Sequence, residues 1–182
     1  MIFESTHIPD VVLITPERIH DERGYFTRTW GQDDFEARGL NSRVVARNVS
    51  YNGSARTLRG MHYQRAPHQE VKVVLCTQGV IFDVAVDLRP ESPTFRRWVG
   101  TELTPETGAM LYIPEGFAHG FQTLTDDCEL LYLHTAAYRA GSESAVNALD
   151  PRLKIRWPLA VEERSARDEA HAPIAADFLG VS

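Results

Sequence analysis

This sequence predicts an all-β fold: a sandwich, a jelly roll or a small barrel. Two observations carry that reading. Short runs rich in β-branched and aromatic residues are separated by turn signals at Gly79, Pro90 with Pro93, Gly108, Pro114 with Gly116, and Gly141. Strands do not alternate with long helical patterns, which argues against Rossmann and TIM-barrel architectures.

Helical signal is scarce. In GQDDFEARGLN, Asp33, Asp34 and Glu36 sit early, where acidic side chains suit the helix dipole, and Gly39 fits a C-terminal cap. TLRGMHYQ, residues 57–64, reads as a strand. Strict alternation puts Arg59 and His62 on opposite faces, and Gly60 marks a bulge that re-aims one of them. VKVVLC follows as a further strand. VIFDVAVDLR, residues 80–89, has the clearest period of two. Val80, Phe82, Val84, Val86 and Leu88 share one face, and Ile81, Asp83, Ala85, Asp87 and Arg89 share the other. Two carboxylates on one face are costly unless solvated or paired, and Arg89 is their ready partner. GAMLYIP and CELLYLHT are also strands, and in the second Leu130, Tyr132 and His134 share a face. SARDEAHA closes the pattern as a short helix with Ser165 as N-cap and Asp168 three residues on.

Composition narrows the class. With 182 residues, the chain is long enough for one domain, 1–182, to bury a core without staples. Hydrophobic residues at 43% and charged residues at 24% exclude a disordered or collagen-like chain. Lys and Arg number 19 against 25 Asp and Glu, a net charge of −6, which disfavours a nucleic-acid partner. Cys76 and Cys128 cannot form a disulfide scaffold and read as buried small hydrophobes in a reducing compartment. Glu4 and Asp10 interrupt the start of the chain where a signal peptide has a basic and then an apolar stretch. No apolar run approaches the roughly 20 residues of a membrane span. The expectation is a soluble, cytoplasmic protein with no membrane partner.

The candidate chemistry lies in histidines, a tyrosine and a lysine along these strands: His62, Lys72, His119 and Tyr132. Each also has a plainer explanation. His62 fits a half-buried strand histidine, His119 between Phe117 and Phe121 a satisfied core residue, Tyr132 ordinary packing, and Asp168 half of a capping box. A metal centre needs two histidines and a carboxylate converging, commonly with a His-x-His pair. His62 is followed by Tyr63 and Gln64, and His68 lies in a Pro-containing loop, so no metal and no other cofactor is expected.

LRGMHYQ, Lys72, FDVAVDLRPESPTF, IPEGFAHGF, Tyr132 and ALDPRLKIRWP occur in this order. Together, from HDERGYF at residues 20–26 to ARDEAHAP at residues 166–173, they resemble the dTDP-4-dehydrorhamnose 3,5-epimerase family of nucleotide-sugar epimerases. The resemblance implies a cupin-type jelly roll, a homodimer, a nucleotide-sugar substrate inside the barrel and no metal. It implies His62 as catalytic base, Asp168 as the acid that orients it, Lys72 beside the sugar C4 oxygen and Tyr132 as general acid. Arg23, Asn48, Arg59, His119, Tyr138 and Glu143 match positions lining the nucleotide-sugar site, with Arg28 and Arg167 in the same shell. These residue types suit the chemistry. A neutral imidazole can remove a proton beside a ketone, a carboxylate on its other nitrogen fixes the tautomer, an ammonium stabilises the enolate, and a phenol can return a proton from the opposite face. Arg23 and Arg59 suit a diphosphate.

Three positions depart from the family pattern: Arg28 replaces a usual glutamate, Ala46 a glutamine before Asn48, and Leu133 a lysine after Tyr132. They suggest a changed substrate choice with unchanged chemistry, and Leu133 tilts the expectation toward a single inversion at C3. Two other readings share the barrel: a metal-dependent cupin oxygenase or isomerase, and a non-catalytic sugar-binding jelly roll.

Overall fold

The computed structural model describes residues 1–181. In chain order the elements are β1 (Ile2–Ser5), β2 (Val12–Thr15), β3 (Arg18–Asp21), β4 (Gly24–Thr27), α1 (Gln32–Glu36), β5 (Ala46–Asn52), β6 (Leu58–Gln64), β7 (Lys72–Gln78), β8 (Ile81–Asp87), β9 (Trp98–Leu103), β10 (Met110–Ile113), β11 (Phe117–Thr123), β12 (Cys128–His134), β13 (Glu143–Ala145) and α2 (Ala166–Glu169). Strands β1-β2-β10-β7-β12-β5 form one sheet, β13-β6-β11-β8-β9 a second, and β3 with β4 a separate hairpin. Neighbouring strands in all three are antiparallel.

The two large sheets pack face to face as a jelly roll of the cupin type. Val74, Cys76, Leu111, Ile113 and Leu130 from the first meet Ile81, Ala85, Val99, Phe117 and Phe121 from the second in one buried cluster. Each outer face is also covered. Phe35 of α1 is fully buried against Val12, Ile14, Val73 and Met110 on the first sheet. The chain after β13 lays Leu153, Trp157, Ile174 and Val181 over Leu58, Met61, Val84 and Val86 on the second. This explains why both faces of β8 are buried although its alternation is clean: Phe82, Val84, Val86 and Leu88 meet the C-terminal segment, while Ile81 and Ala85 point into the barrel. The short helices form where expected. Gly39 adopts φ +70° just past α1, and its N–H reaches the Glu36 carbonyl at 3.0 Å. Cys76 and Cys128 are buried and unbonded to each other, and burial pushes the Cys76 thiol up to about 12.

One local feature places the site. Between β6 and β11, His62 pairs with His119 and Arg59 with Phe121, so Gly60 and Met61 together face the single residue Gly120. His119 and Phe121 lie two apart on one face of β11. The extra residue in β6 therefore turns Arg59 and His62 to the same side, as the bulge reading expects. Only glycines allow this approach. Gly60 has φ +126°, and a Cβ there would lie 2.5 Å from Gly120 Cα. Gly60→Ala is expected to cost at least about 2 kcal/mol, combining backbone strain with overpacking. A denaturant titration checks this: an unchanged midpoint would show that the bulge is not held by that contact.

Candidate active site

The two sheets contribute opposite walls to one cavity of about 300 Å³. Arg59 and His62 on β6 and His119 on β11 line one side. Asn48 and Ser50 on β5, Lys72 on β7, and Tyr132 and His134 on β12 line the other. Cross-strand register accounts for the second wall: Tyr132 is opposite Asn48, and His134 is opposite Lys72, so these side chains share a face. A cleft of about 510 Å³ shares Arg59 and His62 with this cavity and is closed by the chain around α2, including Ser165, Arg167 and Asp168.

Asp168 joins the C-terminal segment to the barrel. Its carboxylate accepts from His62 Nε2 at 2.7 Å through one oxygen and from the Gly60 N–H at 3.1 Å through the other. The Asp168 backbone N–H donates to the Ser165 hydroxyl at 3.1 Å, so Ser165 does cap α2. The two readings of this aspartate are compatible, because the cap uses its backbone while its side chain serves the histidine and the bulge. Asp168 is only 2% exposed. Burial pushes its carboxyl up, but the contacts with His62 and Gly60 outweigh this and hold it below the ordinary carboxylate range. With Nε2–H donated to Asp168, the His62 Nδ1 lone pair is free, and no protein group among the described residues bonds to it.

The facing wall is also organised. The Tyr132 hydroxyl bonds the Ser50 hydroxyl at 2.9 Å, and burial raises the phenol well above its usual value, so it stays protonated. Its ring meets His119 edge-on at 6.1 Å and stacks on His134 at 5.9 Å. Lys72 is buried, with Nζ 3.4 Å from the His62 carbonyl and 3.3 Å from Glu70. His119 Nε2 lies 2.8 Å from Asp83 inside the barrel. Burial pushes the His119 imidazole down, while Asp83 works against that shift. Arg89 accordingly serves only one of the two aspartates it shares a face with: it grips Asp87 at 2.8 and 3.0 Å, and Asp83 takes the histidine instead.

The remaining candidates divide. Tyr138 donates to Glu143 at 2.6 Å, and Arg167 pairs with the same carboxylate oxygen at 2.7 Å. Glu143 belongs to the cavity lining and Arg167 to the adjoining cleft. Arg59 donates to Asn52 at 3.2 Å. Arg23 lies apart, on the exposed turn between β3 and β4, paired with Asp21. Arg28 follows that hairpin and faces Asp34 at 3.5 Å, away from the cavity. Leu133 points outward from the barrel into an apolar groove with Trp30, Val73, Leu75 and Met110. Alternation requires this, since Tyr132 points in. Leu133 therefore cannot shape the cavity from within its own chain, and the argument from it for a single inversion at C3 loses its basis. Of the three departures only Ala46, opposite His134, lies on the inward row. Sequence reading missed Ser50, Glu70, and the pairing of Asp83 with His119. Only Glu70 left a signal, standing two residues before Lys72.

Fold and site together define a cupin-type barrel equipped for proton transfer within its interior. The family model for dTDP-4-dehydrorhamnose 3,5-epimerase matches residues 5–176. A dTDP-4-dehydrorhamnose 3,5-epimerase of Salmonella typhimurium is 41% identical over 96% of this chain and 95% of its own. A dTDP-6-deoxy-D-glucose-3,5-epimerase of Legionella pneumophila, solved in complex with dTDP-4-keto-L-rhamnose, superposes with a TM-score of 0.90 at 37% identity, covering 100% of this chain and 98% of that one. A dTDP-4-dehydrorhamnose 3-epimerase of Streptomyces niveus is 39% identical over 86% of this chain and 75% of its own. The chain belongs to the dTDP-4-dehydrorhamnose 3,5-epimerase family. That membership does not favour the oxygenase or binding-module readings. No helix among the described residues is long and apolar enough to cross a membrane.

The Asp168 contacts predict a pH signature. A carboxyl held below its ordinary value of 3.8 contributes stability that is complete above that value and is lost as pH falls through the lower folded value. Asp168→Asn should cost roughly 1.5–3 kcal/mol at neutral pH, the scale of a buried charge-assisted hydrogen bond. The gap from wild type should narrow below about pH 4. Thermal unfolding of both proteins across pH checks this, and a gap independent of pH would assign the loss to packing.

Proposed function

We propose that this protein, acting as a single catalytic domain, epimerises a 4-keto-6-deoxy sugar linked to dTDP at one or both carbons flanking the ketone, C3 and C5, in deoxysugar biosynthesis. One observation carries the reading: His62, oriented by Asp168, and Tyr132 stand on opposite sheets across one cavity, with Lys72 in its wall. A base and an acid on opposite faces of a ring are what inversion requires. His62 Nδ1 takes the proton beside the ketone, and the electron pair moves to the C4 oxygen as an enolate. Asp168 stabilises the imidazolium that forms. Lys72 supplies positive charge at the enolate oxygen, a type of contribution worth ~3–4 kcal/mol where donors are preorganised. The Tyr132 O–H then delivers a proton to the other face of the carbon. The phenolate recovers a proton, and the imidazolium releases one, through solvent. Arg59, at the junction of cavity and cleft, is suited to the diphosphate. Asn48, His119, Tyr138, Glu143 and Arg167 would surround the remainder of the substrate.

His62→Ala should lower turnover by ~10²–10⁴ with the fold retained. Tyr132→Phe should separate two observables. In D₂O, wild type should place deuterium at the carbon it inverts, read by NMR. The variant should lose inverted product more than it loses exchange, because a base on one face can return the proton it took. Equal loss of both would mean that Tyr132 is not the opposite-face acid.

We further propose that the protein is a homodimer. Val49 and Tyr51 on the outer row of β5 are 57% and 59% exposed beside the groove holding Leu133. Ile19 and Phe26 project from the β3–β4 hairpin at 68% and 69% exposure. A second copy laid against these side chains would bury them and bring the hairpin bearing Arg23, with Arg28 just after it, to its partner. Light scattering should give the mass of two chains, and Val49→Glu should lower it to one. A monomeric wild type would refute the assembly.

A further inference from the structure

Behind Lys72 and His134 in the cavity wall stands an enclosed acid, Glu70, that the proton-transfer scheme does not use. Glu70 lies in the turn entering β7. It is held there by backbone contacts at the next residue: the Val71 N–H donates to the Thr135 hydroxyl at 2.8 Å, and the Thr135 N–H to the Val71 carbonyl at 3.2 Å. These fix the strand entrance against the end of β12. One Glu70 carboxylate oxygen meets Lys72 Nζ at 3.3 Å, and the other accepts from His134 Nδ1 at 2.9 Å. All three side chains are nearly enclosed, at 10%, 11% and 13% exposure for Glu70, Lys72 and His134. Lys72 and His134 are also cross-strand partners, so the carboxylate closes a triangle on the inner face of the sheet.

Burial pushes the Glu70 carboxyl up, but His134 and Lys72 more than offset this and hold it below its ordinary value, so it is ionised at neutral pH. An ammonium this enclosed needs a counter-charge. Its flexible four-carbon stem also needs a fixed partner if the charge is to sit in one place. Lys72's other protein contact is a long one, 3.4 Å to the His62 carbonyl. The demand grows during reaction, because His62 becomes cationic on taking a proton and Lys72 Nζ lies against the carbonyl of that same residue. His134 keeps its Nε2 without a protein partner among the described residues, and its ring lies in the cavity lining against Tyr132. The same carboxylate thus holds the ammonium and a second ring of the wall.

We propose that Glu70 is a positioning residue for the reaction: it holds the Lys72 ammonium, through a buried ion pair shared with His134, at the place where the enolate oxygen develops. This rests on the enolate-stabilising role of Lys72 proposed above.

The test uses Glu70→Gln, which keeps the shape but removes the charge, and Glu70→Asp, which keeps the charge, each made in wild-type and Lys72→Ala backgrounds. Turnover and solvent deuterium exchange are followed with a dTDP-linked 4-keto-6-deoxy sugar. Glu70→Gln should lower kcat and exchange together by roughly 10- to 100-fold, the scale on which partners orienting an active group act. KM should stay within about threefold, since Glu70 does not touch substrate, and Glu70→Asp should recover much of the loss. In the Lys72→Ala background Glu70→Gln should change little further, because the group it acts through is gone. Wild-type kcat in Glu70→Gln would overturn the proposal. So would an undiminished effect of that substitution in the Lys72→Ala background, which would mark Glu70 as structural only. A Lys72→Ala enzyme with wild-type exchange would instead overturn the lysine role beneath it. That result is separable because it appears before Glu70 is altered.

Discussion

The Asp168 carboxylate is the contact on which the site depends. It reaches His62 with one oxygen and the Gly60 N–H with the other, and it comes from a segment more than 100 residues further along the chain. A single buried group thereby fixes the tautomer of the histidine, satisfies a backbone donor exposed by the bulge, and anchors α2 over the cleft. Losing it would leave a buried N–H unpaired and an imidazole free to turn, two costs that fall in the same few ångströms.

The barrel interior shows how a jelly roll tolerates polar chemistry. Three histidines line it, and each is tied to its own acid: His62 to Asp168, His119 to Asp83, and His134 to Glu70. Pairing at 2.7–2.9 Å offsets the cost of burying them. It also fixes which ring nitrogen faces the cavity, and so which can act on a ligand. Apolar packing behind this layer, from Leu130 to Phe121, keeps the two walls at a fixed separation. The opposition of His62 and Tyr132 is therefore a property of sheet packing and not of any loop.

Departures from the family pattern take a different meaning once placed in space. Leu133 stands on the outer face of the first sheet and Arg28 beside the hairpin, so neither touches the cavity of its own chain. Both belong to the face proposed to meet a second copy. Glu70 and His134 sit inside the cavity wall, next to the lysine and the tyrosine, and are better placed to tune the chemistry.

Much of this protein was legible in its sequence because strands write their two faces into alternate residues. The order of polar and apolar residues in β8, the shared face of Tyr132 and His134, and the bulge at Gly60 all follow from a period of two and one glycine. The ordered motifs brought His62, Lys72, Tyr132 and Asp168 together as a set. Residue patterning could not determine which acid meets which histidine; only the family resemblance implied Asp168 for His62. Asp83 and Asp87 look alike on one strand face, yet Asp87 goes to Arg89 and Asp83 to His119. Asp168 looks like a capping residue, and its side chain is claimed by a histidine 106 positions earlier. Glu70 shows only its spacing of two from Lys72, which says nothing of His134. Such pairings are decided by strand order and sheet packing, because a buried charge takes whatever partner the fold places within hydrogen-bond reach, and that distance is set in three dimensions.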